Sequence, residues 1–177
     1  YAAIINRLDR PVSGLVLIAK NKSAAAKYST LMQKEGGFNK QYEALICGKL
    51  SELKGTFVDY LKKDGRTNTS AIVPADAAAN DKEAKLSKLE YEVISYDEVK
   101  NITHVRIHLI TGRHHQIRVQ FASRRHPLVG DYKYDTADCG MDNAVKAVAL
   151  KRNQIALCAV SLTVDNKTYS VAPEFLL

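Results

Sequence analysis

Thr103-His104-Val105-Arg106-Ile107-His108-Leu109 alternates strictly over seven residues. A repeat of two puts Thr103, Val105, Ile107 and Leu109 on one face of a strand, and two imidazoles and a guanidinium on the other. Such a strand needs a sheet with one covered face. Other segments fit the same sheet. Leu89, Tyr91, Val93 and Ser95 alternate with Glu90, Glu92 and Ile94, and Tyr42, Ala44 and Ile46 share one face of a strand over 40–47. Residues 56–61 make a further strand. Residues 155–164 are apolar enough for the core, and residues 168–172 return beside them as a hairpin across Asp165-Asn166-Lys167. Six or seven strands with few helices predict an α+β domain on a largely antiparallel sheet.

Short apolar runs at 4–8 and 15–19 flank a polar loop. A helix is expected from Lys22 to Lys34, capped by Asn21 or Ser23 and stopped by Gly36-Gly37, with Ala24, Tyr28, Leu31 and Met32 along one stripe. Residues 62–85 read as a long connection with at most a helical turn near 75–80. His114–Ser123 reads as a second helix. Ile117 and Phe121 face one way along it, with Arg118 and Arg125 elsewhere on the surface. Residues 144–150 are expected to join the core.

The chain of 177 residues is long enough for one domain with a real core. It has no run long enough to span a bilayer and no secretory signal. Cys47, Cys139 and Cys158 are odd in number and lack zinc-ligand spacing, which points to reduced thiols in a cytoplasmic protein, with Cys158 in the core. The net charge of +7 favours a polyanionic partner. Residues 99–130 hold no Asp or Glu but carry Lys100, Arg106, Arg113, Arg118, Arg124, Arg125 and all five histidines. This is a candidate phosphate-binding segment; a solvated basic face is the alternative. His104 and His108 lack a third ligand at metal-binding spacing.

The polar loop is Asn6-Arg7-Leu8-Asp9-Arg10-Pro11-Val12-Ser13-Gly14. Asp9 between two guanidiniums should stay ionised, since positive charge favours its charged form. An ordinary turn with a surface ion pair would read the same way. Three blocks lend the loop more meaning. Arg7-Leu8-Asp9 with Ser13-Gly14 resembles the catalytic loop of the RluA-type pseudouridine synthases, H-R-L-D-x-x-T-S-G. Lys40-Gln41-Tyr42-Glu43-Ala44 resembles their K-x-Y-x-A segment. Thr111-Gly112-Arg113-His114-His115-Gln116-Ile117-Arg118, then His126-Pro127-Leu128-Val129-Gly130-Asp131, resembles T-G-R-x-H-Q-I-R…H-P-x-x-G-D.

The resemblance implies the pseudouridine synthase fold, a mixed, largely antiparallel sheet with flanking helices and a catalytic cleft across its middle. It implies isomerisation of uridine in ribosomal or transfer RNA without a metal or organic cofactor. Asp9 would be the catalytic carboxylate and Arg113 its ion-pair partner, with Arg7 beside it. Tyr42 would lie against the uracil, and Leu128 or Val129 would close the pocket floor. Arg118, Arg124 and Arg125 would contact RNA. Residues 1–177 would form one catalytic domain, monomeric and cytoplasmic, lacking the stretch that precedes this loop in the family. Asn6, Val12, Gln120 and Cys158 depart from the family's His, Thr, His and His, and Leu89 from a common Thr. A non-catalytic RNA-binding domain of the same fold is the competing reading. A carboxylate-dependent hydrolase is a third, but it lacks a second acid in a matching block.

Overall fold

The computed structural model describes residues 1–34, 37–135, 140–148, 150 and 153–175, so Cys139 and the Gly36 helix stop lie outside the described residues. In chain order the elements are β1 (Ala3–Ile4), β2 (Ser13–Gly14), β3 (Ile18–Ala19), α1 (Lys22–Gln33), β4 (Asn39–Cys47), β5 (Lys54–Asp64) and β6 (Thr69–Val73). There follow α2 (Ala75–Ala78), β7 (Lys85–Asp97), β8 (Ile102–Leu109), α3 (Gln116–Ala122), α4 (Met141–Val148), β9 (Leu157–Val164) and β10 (Lys167–Ser170). The main sheet runs β10-β9-β4-β8-β7-β5-β6, antiparallel throughout, and β2 lies parallel to β9. β1 and β3 make a separate two-stranded ribbon. Among the described residues no helix is long and apolar enough to cross a membrane.

The alternating strand lies where its pattern requires. β8 pairs with β4 on one side and β7 on the other. Its Val105, Ile107 and Leu109 join Tyr42, Ala44, Ile46, Leu89 and Tyr91 in one core, closed by Ile117 and Phe121 of α3. Phe57, Tyr91 and Phe121 pack with ring centroids 4.9 to 5.9 Å apart. On the other face Glu43 receives hydrogen bonds from His104 and Arg106 at 3.0 Å each. α4 covers part of that face, packing Met141, Ala144 and Val148 against Leu45, Cys47 and Cys158. Asn21 caps α1 by accepting from the Ala24 amide. Tyr28, Leu31 and Met32 then pack on Phe38, Leu162 and Val164.

Two sequence expectations need correction. The connection at 62–85 contains a strand, because β6 hydrogen-bonds along Tyr60 to Asp64 and forms the sheet's edge. The alternation in β7 breaks after Val93, where an extra residue, Ile94, bulges out and is exposed. The terminal hairpin does form, with Asp165 and Asn166 both at positive φ, as a two-residue turn between strands requires.

The Asp9 loop is tied to β9. The Ile155 amide donates to Pro11, and the Leu15 amide to Ala159. Between them Gly14 adopts φ +117°, and a Cβ there would lie 2.4 Å from the Ala159 carbonyl oxygen. Gly14→Ala should therefore cost at least about 2 kcal/mol in urea unfolding. Gly65→Ala, with nothing within 4 Å of an added Cβ, should stay within about 0.5 kcal/mol of wild type. Equal effects would show that the close approach to β9 does not hold the loop.

Candidate active site

Asp9 opens into a cleft of about 450 Å³ lined by the loop, by Tyr42 and Lys40 of β4, by Leu109 of β8, and by the segment from Gly112 to Arg118. Asn6, buried beneath it, donates to the Leu15 carbonyl and accepts from the Leu17 amide, bridging the two arms of the loop. The Val12 amide closes a turn onto the Asp9 carbonyl. Asp9 thus projects from a loop whose backbone is committed on both sides.

Its charge partner is Arg118. The Arg118 Nη1 donates to Asp9 Oδ2 at 3.3 Å, while Nε and Nη2 grip Asp131 at 2.6 and 2.7 Å. The side chains of Arg118 and Asp131 are 5% and 1% exposed, that of Asp9 28%. Burial opposes the Arg118 charge, but the two carboxylates outweigh it and hold the guanidinium above its usual range. The pairing expected of Arg113 is therefore made by Arg118. Arg113 is exposed, and its Nε donates to the Leu86 carbonyl.

The T-G-R turn is shaped by Gln116. Its side-chain oxygen accepts from the Arg113 amide and the Thr111 hydroxyl, and its amide nitrogen donates to Lys88 of β7. This fixes the start of α3, a helix buried along all seven residues. Arg118 consequently points inward, although its spacing from Ile117 and Phe121 suggested the surface. His115 precedes α3 at φ +53°. Its ring stacks on His114 and lies 3.7 Å from Asp9 Oδ2. Burial pushes its pKa down to about 4 despite the nearby carboxylate, so it is neutral at pH 7. His115 fills the histidine position of the T-G-R-x-H-Q-I-R block, whereas Tyr134, which touches it, lies outside the three blocks.

Tyr42 lies in the wall of the cleft, buried, and its hydroxyl is pushed up to about 12 by burial and by Asp9. Opposite Tyr42, β9 carries an extra residue, since Gln41 faces Ser161 while Tyr42 faces Ala159. Burial holds Lys40 below the ordinary lysine range. Arg7 lines the cleft and makes no ion pair among the described residues. Leu128 does not line it. That residue is fully buried, bridged to Ile46 within the core, and Leu109, Ile117 and Leu157 are among the apolar residues that line the cleft instead.

The acid-free segment is largely neutralised in space. Lys100 pairs with Asp97, Arg106 with Glu43, Arg118 with Asp131, and Arg124 with Asp59. Arg124 also lies 4.0 Å from the centre of the Phe57 ring. Arg125 is exposed. Among the described residues no group of three His, Cys, Asp or Glu could hold a metal ion.

Residues 1–123 match the family model for RNA pseudouridylate synthase, and the chain belongs to that family, in its RluA-type branch. A ribosomal large subunit pseudouridine synthase D of Blochmanniella floridana is 36% identical over 135 residues, 75% of this chain and 38% of that protein. The protein of that name from Vibrio vulnificus is 30% identical over 177 residues, 98% of this chain and 51% of its own length. The chain thus spans about half the length of these relatives, or less. Among solved structures, human RNA pseudouridylate synthase domain containing 1 superposes with a TM-score of 0.76 at 24% identity, covering 98% of this chain and 69% of its own. Domain containing 4 gives 0.77 at 18%, covering 97% and 71%. These two likenesses concern the fold.

Breaking the buried pair should be costly. Asp131→Asn leaves Arg118 charged and half-partnered in the interior, and should destabilise the protein by about 3–5 kcal/mol. Denaturant unfolding checks this; a loss below about 1 kcal/mol would mean that water reaches the guanidinium.

Proposed function

We propose that this chain isomerises uridine to pseudouridine in structured RNA, with Asp9 as the reacting carboxylate. The observation that carries the reading is a partly exposed Asp9 in a nucleoside-sized cleft, gripped by an arginine that is itself locked on a buried aspartate. The reaction breaks the N1–C1′ bond, turns the ring, joins C5 to C1′ and releases the C5 proton. A carboxylate can serve it by attacking C1′ or by taking the C2′ proton. Either role needs a carboxylate oxygen aimed at the sugar, and the Arg118 contact supports that orientation.

The target base must leave its stack to reach Asp9. Tyr42 offers an aromatic wall, and Leu109, Ile117 and Leu157 an apolar one. With its hydroxyl pushed up to about 12, Tyr42 remains a neutral phenol at pH 7 and serves as ring and hydrogen-bond donor, not as a phenolate base. Arg7, Lys40 and Arg113 bring positive charge to the cleft, in keeping with phosphate groups beside the flipped base. The names of the relatives point to ribosomal RNA of the large subunit as the substrate.

Asp9→Asn keeps size and removes charge. In tritium release from C5-labelled uridine in transcribed ribosomal RNA, turnover should fall by at least about 10³-fold while RNA affinity and fold persist. Substantial turnover in this variant would overturn the assignment of Asp9. An inactive wild type with tight RNA binding would favour a binding domain.

A further inference from the structure

His115 is buried beside Asp9 in a backbone conformation that few histidines adopt. Nδ1 lies 2.6 Å from the Tyr134 hydroxyl, and Nε2 lies 3.7 Å from Asp9 Oδ2. The Tyr134 hydroxyl also accepts the Ser70 amide of β6 at 2.8 Å. That amide can only donate, so it uses a lone pair of the hydroxyl. The phenol's own proton then has one acceptor among its described contacts, Nδ1. A neutral imidazole that accepts at Nδ1 carries its proton on Nε2. The other tautomer would aim a bare lone pair at a carboxylate and strand the phenol proton.

Further contacts brace the ring and its neighbours. His114 stacks on it at 3.8 Å and is itself within hydrogen-bonding distance of the Ser70 hydroxyl, 2.9 Å from Nδ1. Tyr134 stands edge-on to the His115 ring at 5.4 Å, and the Arg118 guanidinium lies over the Tyr134 ring at 5.1 Å. Among the described residues, Arg118 and His115 approach Asp9 at the same oxygen, Oδ2. The second oxygen, Oδ1, makes no hydrogen bond with the described residues.

We propose that His115 is a positioning residue. With its tautomer set by Ser70 and Tyr134, it offers Nε2–H to Asp9 Oδ2 and leaves Oδ1 as the oxygen presented to the ribose. The 3.7 Å separation is too long for a hydrogen bond and shortens when a nucleotide fills the cleft, as such contacts tighten in the reacting complex. The edge hairpin of β5 and β6 is thereby coupled to the orientation of Asp9. This inference rests on the synthase reading for its effect on rate, but not for its tautomer.

Two isosteric variants of the full chain separate this role from a structural one. His115→Asn tolerates the left-handed backbone and keeps a group near Nδ1 but has nothing at Nε2. His115→Gln reaches the Nε2 position with an amide donor. In single-turnover tritium release, the Asn variant should lose on the order of 10- to 100-fold in rate, the scale of losing an orienting partner. Its RNA affinity should be unchanged. The Gln variant should recover to within a few-fold of wild type. Equal losses in the two, or wild-type rates in both, overturn the proposal. A second measurement needs no activity. In protein labelled with ¹⁵N-histidine at pH 7, the His115 nitrogens should report a neutral ring protonated at Nε2, with the tautomers mixed in Tyr134→Phe. A ring protonated at Nδ1, or a charged ring, overturns the proposal. An inactive wild type would count against the synthase reading alone.

Discussion

The site depends on a buried ion pair. Arg118 and Asp131 lose their hydration, at a cost of several kcal/mol per ion, and two short hydrogen bonds with shared charge must offset it. What the pair supplies in return is direction. With Nε and Nη2 fixed on Asp131, only Nη1 is left to turn toward the cleft, and it meets Asp9. A guanidinium held by one carboxylate is not free to swing away to solvent, so Asp9 has a cation at one oxygen. The rigid fork of arginine suits this double use in a way that a lysine ammonium would not.

Elements far apart in sequence converge to make that geometry. α3 presents Arg118, and it can be buried on all sides because Gln116 ties its first turn to β7 and Phe121 packs on Phe57 and Tyr91. The segment through Leu128 crosses onto β4, with the Val129 amide donating to Leu45, and delivers Asp131 one turn later. From the other side β9 holds the Asp9 loop through Gly14 and Leu15, where any larger residue than glycine would strike backbone. The sheet's own strands supply only the walls of the cleft.

Much of this frame was legible in the sequence, because period-two alternation reports a half-buried strand directly. β8, β4 and the first part of β7 follow from it, the terminal hairpin follows from an apolar run and its Asp165-Asn166 turn, and the Asn21 cap marks the start of α1. The edge strand β6 was not legible: Thr69 to Val73 is short, polar at its start and set in a stretch of small residues. Within the site, Asp9 and Tyr42 are legible and both line the cleft, whereas the motif points to Arg113 and the geometry gives Asp9 to Arg118. Arg113 and Arg118 belong to one motif, and spacing alone does not say which turns inward; that depends on α3 having no exposed face. Asp131 ends the H-P-x-x-G-D block with no sign of its role, since its partner lies thirteen residues away. The basic segment misled for a related reason. An acid-free run in sequence is not acid-free in space, and Glu43 and Asp59 arrive from other strands to neutralise it.

The central claim is that the Arg118–Asp131 pair exists to aim Asp9, not to stabilise the fold. Replacing both buried partners by apolar residues of similar size is often neutral for stability, unlike removing one. The decisive measurement is therefore the double variant Arg118→Met with Asp131→Leu, followed by denaturant unfolding and by tritium release in parallel. The account predicts that the unfolding midpoint returns to near the wild-type value while turnover remains lost, because Asp9 has no guanidinium to hold it. Turnover that recovers together with stability would contradict it.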